Sequence, residues 1–100
     1  MINYHVMYMS RPDLEGPAQS DLLETIEDKT KEYGGDISDV DVWGVRKVAY
    51  RIDGYDTAYY ANIYFKAAPE VAKRLDRLLR LNHSVLRHMI INMDDNYEEV

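Results

Sequence analysis

One hundred residues are enough for one domain that buries a core of its own, and the absence of cysteine excludes both a disulfide framework and a thiol-ligated metal site. The formal charge of −6 argues against a surface that grips nucleic acid over its whole extent, because phosphate binding is supplied mainly by clustered Lys and Arg. No apolar run approaches the roughly 20 residues that span a bilayer. The start Met1-Ile2-Asn3-Tyr4-His5 also lacks the basic and apolar segments of a secretion signal, so a soluble cytoplasmic protein is expected.

Residues 2–9 alternate as a strand does, with Tyr4, Val6 and Tyr8 on one face and His5, Met7 and Met9 on the other. Neither face is strongly polar, which predicts a central strand. Pro12 ends it, and Pro17 opens a helix over residues 18–33 whose apolar stripe is Ala18, Leu22, Leu23, Ile26 and Tyr33. Its other face carries Asp21, Glu24, Glu27, Asp28, Lys31 and Glu32, and reads as a solvated surface. Gly34-Gly35 stops the helix.

Residues 37–52 and 58–65 are rich in β-branched and aromatic side chains. The link Asp53-Gly54-Tyr55-Asp56-Thr57 has the composition of a hairpin loop, so the pair reads as one long antiparallel hairpin. In its second arm Tyr59, Ala61, Ile63 and Phe65 share a face, and Tyr60, Asn62 and Tyr64 share the other. A second helix follows from Pro69, with Val71, Ala72, Leu75, Leu78 and Leu79 as its buried stripe. Asn82-His83-Ser84 breaks it, and residues 85–93 form a last strand. The order β-α-β-β-α-β is the ferredoxin-like split βαβ arrangement, an α+β fold in which a four-stranded antiparallel sheet carries both helices on one face. Residues 1–93 are expected to form that domain, and residues 94–100 an acidic, mobile tail.

The chemistry of the chain points to binding rather than catalysis. Its three histidines lie on different elements, no glycine-rich phosphate loop or Gly-x-Ser-x-Gly elbow occurs, and no metal, cofactor or catalytic residue is expected. Arg46 and Lys47 sit mid-strand beside Trp43 and Tyr50; Lys73, Arg74, Arg77 and Arg80 recur at helical spacing, and Arg87 lies in the last strand. Met7, Tyr60 and Tyr64 fall on the sheet face that no helix covers, and exposed Met and Tyr tend to mark an interaction site. Weak self-association would satisfy the same pattern.

The stretch Trp43-Gly44-Val45-Arg46-Lys47-Val48-Ala49-Tyr50-Arg51-Ile52 resembles the signature of the bacterial small-subunit ribosomal protein S-six family. Tyr4 through Pro12-Asp13-Leu14, the helix end Tyr33-Gly34-Gly35, and Leu79-Arg80-Leu81-Asn82 through Val85-Leu86-Arg87-His88-Met89 agree with it. The resemblance implies a non-enzymatic protein of the ribosome that pairs with protein S-eighteen and binds small-subunit rRNA. It places rRNA contacts at Arg46, Lys47, Arg80 and Arg87, and the partner-protein interface at Trp43, Tyr50, Tyr60, Tyr64 and Met7. Ile2, Asn3 and Asn92 stand where basic or polar residues are usual, which also fits an alternative, a redesigned domain of the same fold with reduced or no RNA binding.

Overall fold

The computed structural model describes residues 1–94. Six elements follow in the order β1 (Ile2–Ser10), α1 (Gly16–Glu32), β2 (Asp36–Ile52), β3 (Tyr55–Ala67), α2 (Pro69–Leu81) and β4 (Val85–Asn92). The strands form one antiparallel sheet in the order β2-β3-β1-β4, the ferredoxin-like arrangement expected from the sequence. β1 is central, as its doubly apolar pattern predicts.

The period-two alternation of β1 and β3 decides where the core lies. Tyr4, Val6, Tyr8 and Ser10 of β1, with Ala61, Ile63, Phe65 and Ala67 of β3, are buried on the face that packs against Leu22 and Ile26 of α1 and Val71, Leu75 and Leu79 of α2. Tyr4 and Phe65 stack with ring centroids 5.4 Å apart. α2 buries Val71, Leu75 and Leu79 of the predicted stripe and half-buries Ala72 and Leu78. In α1 the stripe is shifted: Ala18 is exposed, while Gln19 and Thr30 are buried beside Leu22 and Ile26. Both polar residues are inside because their bonds are made. Ser10 Oγ donates to Gln19 Oε1 at 2.7 Å, Gln19 Nε2 donates to Arg11 O, and Thr30 Oγ1 donates to Ile26 O one turn back.

The β2–β3 hairpin is tighter than its composition suggests. Ile52 pairs with Tyr55, so the loop is Asp53-Gly54 alone and β3 begins three residues earlier than expected. Both loop residues have positive φ, +50° and +86°, the geometry of a two-residue turn that matches strand twist and favours Asp-Gly. At the other end of the sheet, Asn3 donates its backbone N–H and its side-chain amide to the Asp94 carboxylate, each at 2.9 Å, and these bonds hold that carboxyl below its usual range. Beyond Asp94 the expected tail falls on residues 95–100, outside the described residues.

Tyr8 is fully buried, and its hydroxyl has no hydrogen-bond partner among the described residues. Burial above all, then Tyr59 and Glu27, pushes its pKa above the ordinary value of 10.0. An unfolded tyrosine therefore ionises first, and the contribution of Tyr8 to stability is lost as pH rises beyond about 10. Tyr8→Phe should leave stability at neutral pH within about 1 kcal/mol of the parent or raise it, and should reduce the alkaline loss. Leu75→Ala should cost about 2–5 kcal/mol. Denaturant unfolding of both variants at neutral and alkaline pH checks this.

Candidate functional site

The face of the sheet that carries no helix is paved by side chains in cross-strand register. Tyr64 of β3 lies opposite His5 of β1, which lies opposite Ile91 of β4; Asn62, Met7 and Met89 form the next row, and Tyr60, Met9 and Arg87 the third. His5 and Tyr64 stack at 4.4 Å with their rings 12° from parallel. Asn62 is 1% exposed although it lies on this face. Its Nδ2 donates to Asp41 O at 3.2 Å, which orients the amide, and His5 Nε2 donates to its Oδ1 at 2.8 Å. The pavement is thus fixed by bonds across three strands, β2, β3 and β1.

β2 reaches over this pavement through breaks in its register. Val42 pairs with Ala61 and Gly44 with Tyr60, so Trp43 is an extra residue, and Gly44 beside it takes a positive φ of +80° that a glycine adopts without strain. Trp43 stacks on Tyr60 at 5.9 Å, is 46% exposed, and donates its indole N–H to the Asp41 carboxylate at 3.0 Å. A second shift between Lys47 and Ile52 loops residues 48–51 out of the ladder. Together with Met9, Tyr60 and Arg87, residues 48–52 line a recess of about 250 Å³, and Tyr50 in this loop is 86% exposed. Arg46 and Lys47 line an adjoining recess with Trp43 and Tyr60, and Arg46 Nε donates to Trp43 O.

Of the residues singled out in the sequence, Met7, Trp43, Tyr50, Tyr60, Tyr64, Arg46, Lys47 and Arg87 come together on this one side of the sheet. Arg80 does not. It stands on α2, in the helix layer, where its guanidinium pairs with Asp76 at 2.9 Å; Asp76 also accepts a 2.7 Å bond from His88 Nε2. Asn62, which ties the pavement together, is not among the residues expected at the site, because an amide on a strand gives no signal that it is buried. Among the described residues no group of His, Asp or Glu is placed to hold a metal ion, and no helix is long and apolar enough to cross a membrane.

The sequence model of the family described as "Ribosomal protein S6" matches residues 3–92. The chain belongs to the ribosomal protein S6 family. It is similar to the small ribosomal subunit protein bS6 of Moorella thermoacetica, 35% identical over 95% of this chain and 97% of that protein. The protein of the same name from Caldanaerobacter subterraneus is 38% identical over 95% of this chain and all of that one. The crystal structure of 30S ribosomal protein S6 from Thermotoga maritima superposes with a TM-score of 0.90, covering 98% of this chain and 92% of that one; at 23% identity it attests the shared fold. The family is one of ribosomal structural proteins rather than enzymes. Nothing in these comparisons favours a redesigned domain.

Asn62→Ala should leave the His5 donor and the Asp41 carbonyl without their partner. The expected cost is about 1–3 kcal/mol in denaturant unfolding, together with loosening of the His5–Tyr64 stack, read from the ring-current shifts of both side chains.

Proposed function

We propose that the chain is a structural constituent of the small ribosomal subunit, in the cytoplasm, and binds small-subunit rRNA together with protein S-eighteen. The observation that carries this reading is the gathering of Arg46, Lys47 and Arg87 around the rim of an aromatic and methionine-rich face in a chain of the S-six family. Trp43, Tyr50, Tyr60, Tyr64 and Met7 form the surface for the protein partner: Trp43, Tyr60 and Tyr64 are held in place by stacking, so they give up little side-chain freedom on docking, and Tyr50 projects beside them with most of its surface open. Arg46, Lys47 and Arg87 contact phosphate at the rim. Arg80 contributes from the helix layer, and its pairing with Asp76 tempers that contribution.

Cations concentrated at one rim reconcile RNA binding with a net charge of −6, because phosphate contact depends on local rather than total charge. The experiment is a titration of the protein, with and without S-eighteen, against the junction fragment of the small-subunit rRNA that the family recognises, at two salt concentrations. Tight binding that requires S-eighteen and weakens with salt supports the proposal; absence of binding by a folded sample overturns it. Arg46→Ala with Lys47→Ala should lower affinity and flatten the dependence of log K on log salt by about one unit for each phosphate that is no longer neutralised. Arg80→Ala should change that slope less.

A further inference from the structure

The two edges of the sheet differ in a way that the helix-free face does not explain. β2, at one edge, is interrupted by register shifts near Ile37, Trp43 and residues 48–51, carries Asp36, Asp39 and Asp41, and has its Val40 N–H taken by the Asp39 carboxylate at 2.9 Å. These are devices that blunt an edge against further pairing. β4, at the other edge, has none of them over most of its length. It pairs with β1 in unbroken register from Arg87 to Asn92, with no proline or glycine.

The direction of its free hydrogen-bonding groups follows from one bond. Met93 N–H donates to Asn3 O of β1 at 2.8 Å. Because antiparallel ladders alternate, the N–H and C=O of Ile91, Met89 and Arg87 also point to β1, and those of Asn92, Ile90 and His88 point away from the sheet. Among the described residues no strand or loop pairs with them. Beside this edge, on the helix side, α2 and β4 leave a groove of about 360 Å³ lined by Tyr4, Ala72, Lys73, Asp76, Ile90 and Asn92. On the other side the edge is continuous with the paved face through Met89, which is 46% exposed.

We propose that β4 receives a fifth strand, an extended segment of the same protein partner that seats on the helix-free face. The inference rests on the partnership proposed above. Main-chain bonds to His88, Ile90 and Asn92 supply the pairing, and alternate side chains of the incoming strand enter the groove under α2 or lie against Met89 and Ile91. The groove states the chemistry required. It has an apolar floor and the Lys73 ammonium, which makes no ion pair among the described residues, while the Asp76 carboxylate is already held by Arg80 and His88. The incoming strand therefore carries small apolar residues on its helix side and one carboxylate opposite Lys73. A second copy of this chain fits less well, since pairing β4 with its own image about a two-fold axis brings two grooves that each bear such a Lys73 to the same side and supplies no carboxylate for either.

The test is amide hydrogen exchange of the full chain by NMR, alone and with S-eighteen as the probe. Alone, His88, Ile90 and Asn92 should exchange fast and Met89 and Ile91 slowly. In the complex the three outward amides should slow by about tenfold or more, with couplings across new N–H to carbonyl bonds that mere covering of the edge would not produce. If S-eighteen binds and the outward amides stay fast, the fifth strand is wrong and the partnership stands. If they are already slow in a monomeric sample, the chain covers its own edge; if they are slow only in a concentrated, dimeric sample, a second copy does. Either result overturns the proposal. If S-eighteen does not bind at all, the partnership itself falls and the fifth strand with it.

Discussion

The structure depends on β1 being covered on both sides, fully on one and in part on the other, by different means. On one side its even-numbered residues Tyr4, Val6 and Tyr8 are covered by two helices, which is the hydrophobic core of the domain. On the other the described residues supply no second layer, and the odd-numbered residues are half-covered instead by neighbours within the sheet: His5 by the Tyr64 ring and the Asn62 amide, Met7 and Met9 by the side chains across from them. A two-layer fold leaves one sheet face to be dealt with, and this chain deals with it by paving rather than by making it polar. That choice leaves a partly apolar surface, and it is the physical ground for the docking face proposed above.

Charge then divides the molecule. Acids concentrate in α1, along the first half of β2 and in residues 94–99 of the sequence, yet on the paved side Arg46, Lys47 and Arg87 stand around Trp43, Tyr50 and Tyr60. The bulge at Trp43 resets which residues of β2 face the paved side, so that Arg46 falls in the row of Ala58 next to Tyr60, and the loop at residues 48–51 closes the recess beyond it. Irregularity in β2 thus serves two ends. It blunts one edge against pairing, and it builds the rim of the site.

Much of this is legible in the sequence where a residue's chemistry and its position agree. The alternation of β1 and β3, the apolar stripe of α2 and the breaks at Pro12, Gly34 and Asn82 each follow from one local rule, and together they set the order of elements and both faces of the sheet. The burial of Gln19 and Thr30 is not legible, because it depends on partners that are distant or backbone-bound: Ser10 and Arg11 O for one, Ile26 O for the other. The alternation puts Asn62 on the correct face, but its burial is hidden for the same reason. The bulges of β2 leave no mark in a two-residue period except Gly44, and the wide loop expected at residues 53–57 closes to Asp53-Gly54 because those two residues alone satisfy a tight turn. Arg80 is near Arg87 in the chain, but a helix and a strand in different layers separate them.

For the proposed docking of a protein partner on the paved face the chain carries its own reporter, since Trp43 is its only tryptophan and is stacked on Tyr60 and half-exposed. The most direct measurement is the emission of Trp43 as S-eighteen from which tryptophan is absent or has been replaced is added, with complex formation followed independently by sedimentation. Docking on the paved face should give a blue shift and reduced quenching by iodide as the half-exposed indole is covered, saturating at one partner per chain. A complex that forms while the emission and quenching of Trp43 stay those of the free protein would place the partner elsewhere and contradict it.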